Sequence, residues 1–179
     1  MCCGYRLLSW LAMAVLWTIV CAQVQAGKSD LGKLNPWSGG ATPPLKLKRL
    51  DGNVLDLERL RGKVVVVNFW ATWCGPCRQE MPSMQKLKER FAAGSVVVLA
   101  VNYGEDAEVI REFLKRVPVE LDMLLDTEAR TPGAWGVSVL PTSFLLGQNG
   151  RVERMVVGEY DWSSAEAVET VKALMKNGR

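Results

Sequence analysis

The sequence predicts an α/β domain with a mixed central sheet flanked by helices, and three observations predict it. Two runs, KVVVVNFW over 63–70 and SVVVLAVN over 95–102, are almost wholly β-branched or apolar. They lack polar alternation, the pattern of central strands buried on both faces. Between them Cys77, Met81, Met84, Leu87 and Phe91 recur at spacings of four, three, three and four, which is one face of an amphipathic helix. Strand, helix and strand in that order make a β-α-β unit whose strands pair in parallel.

Each further element follows in chain order. Arg6 precedes an apolar run over 7–20, and small and polar residues then lead to Val24-Gln25-Ala26, the layout of a secretory signal. Cleavage after Ala26 ranks first, retention as a membrane anchor second and lipidation at Cys21 third. The apolar stretch 7–22 is shorter than the roughly 20 residues of a spanning helix. Val20 is bulky where lipidation calls for a small residue. Each outcome puts the domain outside the cytoplasm, in the periplasm or its equivalent, free or tethered to the inner membrane.

Residues 27–44 are rich in Gly, Ser and Pro, without apolar period, and read as a linker ending at Pro43-Pro44. One domain over 45–179 follows. Leu45 and Leu47 alternate with lysines, and Asp51-Gly52-Asn53 offers a turn before Val54, Leu55 and Leu57, so an N-terminal β-hairpin is expected. Beyond the β-α-β unit, 105–116 reads as a helix and 123–125 as a short strand. Residues 142–146 and 152–157 read as a hairpin around Asn149-Gly150. Ser163 and Glu166 form a capping box for a last helix, which buries Val168, Val171, Leu174 and Met175.

Composition narrows the chemistry. The 179 residues, 49% hydrophobic and 23% charged, suffice for one core. A net charge of +3 without blocks of like charge argues against nucleic acid as a partner. The absence of histidine removes Ser-His-Asp triads, Cys-His nucleophiles and histidine-containing metal sites. Of five cysteines, Cys2, Cys3 and Cys21 lie in the export segment, so a cleaved chain keeps Cys74 and Cys77. Two thiolates are too few for a thiolate-only metal site, which needs about four ligands. A disulfide closing so small a loop adds little stability, so reactivity explains the pair better.

Cys74-Gly75-Pro76-Cys77 sits where a strand turns into a helix. At the helix N-terminus, unpaired N–H groups and the macrodipole favour a Cys74 thiolate, which makes Cys74 the nucleophile. Cys77, one turn on and on the apolar face, is shielded but can reach Cys74. Gly75 leaves the approach open, and Pro76 suits the first helical turn. Cys74 would attack a substrate disulfide and Cys77 would resolve the mixed disulfide. Glu80, three residues beyond Cys77, is the candidate acceptor for the Cys77 proton, against the alternative of a solvated glutamate. Trp73 offers a surface beside the nucleophile, whereas Trp70 can equally be core. Pro82 is expected to bend the helix.

FWATWCGPC followed by VLPTSFLL resembles the thioredoxin superfamily. The export signal, N-terminal hairpin, Glu80 and long central segment resemble its TlpA/ResA-like branch of extracytoplasmic thiol-disulfide oxidoreductases. The resemblance implies the thioredoxin fold with a central α/β insertion. It also implies a cis Leu140-Pro141 bond packed by the disulfide, with backbone before Pro141 that pairs with extended substrate. Asn68 stands where thioredoxins carry a buried aspartate, and it cannot accept a proton, which strengthens the case for Glu80. Copper-delivering relatives use a histidine that is absent here, and peroxidatic relatives place their cysteine differently.

The implied function is reduction of disulfides in extracytoplasmic proteins by a monomer recharged from a membrane thiol reductase. Apocytochrome c and envelope proteins in general are equally compatible substrates. No cofactor or resident metal is called for. A disulfide-donating oxidant, and a non-catalytic module binding peptide or Cu(I), are the alternatives.

Overall fold

The computed structural model describes residues 31–176. The signal or anchor expected over 1–26, with Cys2, Cys3 and Cys21, lies outside them. Among the described residues no helix is long and apolar enough to cross a membrane.

The elements run β1 (Asn35–Pro36), β2 (Lys46–Arg49), β3 (Val54–Asp56), a 3₁₀ turn (Leu57–Leu60), β4 (Val64–Trp70) and α1 (Gly75–Glu89). They continue β5 (Val96–Tyr103), α2 (Ala107–Arg116), β6 (Asp122–Asp126), α3 (Thr131–Ala134), β7 (Thr142–Leu146), β8 (Val152–Val157) and α4 (Ala165–Lys176). The strands form one sheet in the order β1-β8-β7-β4-β5-β6-β2-β3. β4 pairs in parallel with β5 and antiparallel with β7, so the sheet is mixed.

Every residue of β4 is buried. Because successive side chains point to opposite faces, its alternate residues serve two cores. Val64, Val66 and Trp70 pack with Met81 and Met84 of α1, Ile110 and Phe113 of α2 and Val171 of α4. Val65, Val67 and Phe69 pack on the other face with Leu57, Trp135 and Phe144. Phe144 centres an aromatic group there, its ring 5.4 Å from Trp37, 6.0 Å from Phe69 and 5.0 Å from Trp135.

The β-α-β unit, the hairpin around Asn149-Gly150 and the central strand take the expected form. Four readings change. The stretch read as an unpatterned linker supplies β1: Asn35 and Pro36 pair with β8, and Gly32 N–H donates to Val157 O at 2.8 Å. At Gly32, φ is +68° and a Cβ would lie 2.9 Å from the Glu159 carbonyl, so a side chain is excluded. The second strand of the N-terminal hairpin stops at Asp56, where Leu57 opens the 3₁₀ turn, and β2 joins the sheet beside β6. The helix expected from residue 105 starts at Ala107, because Glu105 is engaged elsewhere. The α4 cap is Ser164, whose Oγ accepts Ala167 N–H at 3.2 Å, while Ser163 turns to Asp161 and Glu166 accepts from the Tyr160 hydroxyl.

Truncating the aromatic centre tests the packing. Phe144→Ala should cost about 3–5 kcal/mol, measured as a lower urea midpoint at unchanged slope.

Candidate active site

β4 ends at Trp70, and a tight turn carries the chain into α1, with Cys74 N–H donating to Ala71 O at 3.2 Å. Cys74 is the N-cap of α1, with extended φ −80° and ψ 107°, and its Sγ accepts the Cys77 N–H at 3.3 Å. The cysteines form a disulfide, S–S 2.03 Å and Cα–Cα 5.3 Å. Cys74 is 6% exposed and Cys77 fully buried among the α1 core residues. Pro76 occupies the first turn, where its missing N–H leaves no bond unmade. A Cβ at Gly75 would meet nothing nearer than the Arg78 guanidinium at 4.0 Å, so this side of the motif is open. Trp73 stands 64% exposed beside Cys74, whereas Trp70 is core, its ring 5.0 Å from that of Phe113.

Glu80 is 2% exposed, so the solvated alternative does not hold. Its Oε1 accepts from Asn68 Nδ2 at 2.7 Å and its Oε2 from Tyr160 N–H at 3.2 Å. Asn68 Nδ2 also donates to Ser143 Oγ at 2.9 Å, which ties α1, β4 and β7 together beneath the disulfide-bearing turn. Burial pushes the Glu80 carboxyl up to about 8. Hydrogen bonds from Tyr160 and Asn68 oppose that rise, and the Glu159 charge adds to it. The Trp162 indole N–H acts on the carboxylate in the lowering direction without closing a normal hydrogen bond.

Leu140-Pro141 is a cis peptide bond. Since Thr142 of β7 pairs with Phe69 of antiparallel β4, Pro141 lies at the end of the sheet from which the Cys74 turn emerges. Leu140 is half-buried and Pro141 buried, and the preceding Val139 is 48% exposed. The chain topology thus brings Trp73, Cys74, Cys77, Leu140 and Pro141 to one end of the central strands β4 and β7. Sequence reasoning treated Asn68 only as a lost aspartate and overlooked Ser143 and Tyr160. The available signal was Asn68 itself, the one polar residue inside a run of seven buried ones.

Two sulfurs arranged this way, one at a helix cap and one beneath it, exchange thiol for disulfide. The sheet that carries them places the protein among the thioredoxin-fold thiol-disulfide oxidoreductases.

Comparison with known proteins agrees. The AhpC/TSA family model matches residues 39–155. The thiol-disulfide oxidoreductase ResA of Bacillus subtilis (strain 168) is 34% identical over 151 residues, 80% of this chain and 82% of that protein. ResA of Geobacillus thermodenitrificans is 38% identical, covering 67% of this chain and 69% of its own. A candidate thiol:disulfide interchange protein DsbE from Chlorobium tepidum superposes with a TM-score of 0.66 at 33% identity, over 80% of this chain and 99% of its own. The chain belongs to the AhpC/TSA family and, within it, is a ResA-like thiol-disulfide oxidoreductase.

The Glu80 carboxyl sets a pH dependence of stability. Its folded value, about 8, lies above the ordinary 4.5, so the stability that protonated Glu80 contributes is full below pH 4.5 and is lost as pH rises through 8. The loss is on the order of a few kcal/mol, or roughly 5–10 °C in Tm for the oxidised protein. Glu80→Gln should flatten the Tm profile between pH 5 and 8; a slope equal to wild type would refute it.

Proposed function

We propose that this oxidoreductase works as a dithiol reductase outside the cytoplasm, reducing disulfides of exported proteins, with apocytochrome c before haem attachment as one substrate. A membrane thiol reductase recharges it. The observation that carries the reading is the unequal setting of the two sulfurs: Cys74 caps α1, while Cys77 lies fully buried on the same helix as a buried carboxyl.

The Cys74 thiolate attacks one substrate sulfur, forming a mixed disulfide and releasing the other substrate sulfur as a thiolate. Cys77 then loses its proton and attacks Cys74 Sγ. That step displaces the second substrate thiolate and leaves the substrate reduced by two electrons and the protein oxidised. Glu80, in the ionised fraction that is present near neutral pH, takes the Cys77 proton. Burial lifts the carboxyl from 4.5 to about 8, towards the thiol range, so its carboxylate takes a thiol proton far less unfavourably than an unshifted one would. Exposed Trp73 and open Gly75 support a substrate surface on one side of Cys74. Pro76 shapes that surface, and Leu140-Pro141 supports an extended substrate segment on the other side.

Two variants test the cycle. Cys77→Ser should accumulate a mixed disulfide through Cys74 with a disulfide-bearing protein; trapping by Cys74→Ser instead would reverse the assignment. Glu80→Gln should slow resolution of that intermediate about 10²-fold while the first attack stays within about threefold of wild type, by quenched-flow analysis.

A further inference from the structure

The turn that presents Cys74 hangs on a carboxylate from another part of the chain. Glu105, between β5 and α2, accepts the Thr72 backbone N–H at Oε2, 2.7 Å, and the Thr72 hydroxyl at Oε1, 2.5 Å. Its Oε2 also accepts from Asn102 Nδ2 at 2.7 Å, and Asn102 Oδ1 accepts the Glu105 N–H at 3.0 Å. Asn102 is fully buried in β5, in register with Trp70 of β4, so this anchor belongs to the rigid centre of the sheet. On the other side of Thr72, Arg78 of α1 donates to its carbonyl at 3.2 Å. The N–H, O–H and C=O of Thr72 are therefore all engaged, two residues before Cys74.

We propose that Glu105 is a positioning residue for the reaction: by clamping Thr72 it holds Cys74 Sγ on the N-terminal axis of α1 and turns Trp73 outward. The proposal rests on Cys74 being the attacking sulfur. Three donors converge on one carboxylate, and such charge-assisted bonds fix geometry more tightly than neutral ones. A nucleophile needs that, since a small misplacement of a reacting atom is costly in rate. Apolar packing could hold the turn in place but would not satisfy the Thr72 N–H, which points at the carboxylate.

A glutamine at 105 keeps one acceptor oxygen for three donors and turns its own N–H₂ against one of them. The test uses the full chain, reduced, as wild type, Thr72→Val, Thr72→Ser and Glu105→Gln. Iodoacetamide alkylation of Cys74, located by mass spectrometry, is followed against pH, and reduction of insulin disulfides is timed. Glu105→Gln should reduce insulin about tenfold more slowly, the loss expected for one charge-assisted bond. Thr72→Val should be about threefold slower, with the pH midpoint of Cys74 alkylation raised, and Thr72→Ser should stay within about twofold of wild type. Lower Tm with wild-type alkylation and insulin rates would overturn the proposal and leave a purely structural tie. If Glu105→Gln does not fold, equal behaviour of the two Thr72 variants would overturn it as well. Alkylation at Cys77 ahead of Cys74 would instead overturn the assignment of the attacking sulfur.

Discussion

Val64 to Trp70 are buried without exception, hydrogen-bonded to β5 on one edge and β7 on the other, with a separate apolar core on each face. A slip of one residue would exchange the faces and drive Asn68 into the aromatic group around Phe144 while moving Phe69 under α1. The register is therefore fixed, and with it the end of the strand. From that end come the turn that bears Cys74, the axis of α1 and the β7 position that brings Pro141 alongside. Asn68, facing α1 with Val66 and Trp70, meets Glu80 for the same reason.

That arrangement places a carboxyl where burial disfavours its charge. Glu80 is satisfied by two donors yet remains shifted to about 8, so near neutral pH it is held mostly protonated. For stability alone an apolar residue would serve as well or better. A titrating group one helical turn from a buried thiol makes sense where a proton must move. The same division appears at the surface of the site: Glu105, Thr72 and Arg78 fix the backbone, while Trp73 stays exposed beside it.

Legibility in the sequence followed the range of the interaction. The unbroken run over 63–70, the α1 periodicity and the Asn149-Gly150 turn are local signals, and the elements form accordingly. β1 has no such signal, because two residues become a strand only when β8 lies alongside. Ser163 and Ser164 are both plausible caps by residue type, and the choice falls to Ser164 because Asp161 takes both the Ser163 N–H and its hydroxyl. Of the site, Cys74, Cys77 and Glu80 stood out by spacing and by the resemblance to thioredoxins. The partners of Glu80 on β4 and after β8, and the grip of Glu105 on Thr72, span 12 to 80 positions in the chain and become visible only when the sheet is assembled.

The equilibrium reduction potential of the Cys74–Cys77 pair tests the central claim most directly. It can be read by tryptophan fluorescence in graded dithiol buffers, since Trp70 and Trp73 flank the motif. The account predicts a value near that of thioredoxin, about −270 mV, at which the reduced pair donates electrons in an oxidising compartment. A value near about −120 mV would contradict it, because the protein would then hand its disulfide to substrates.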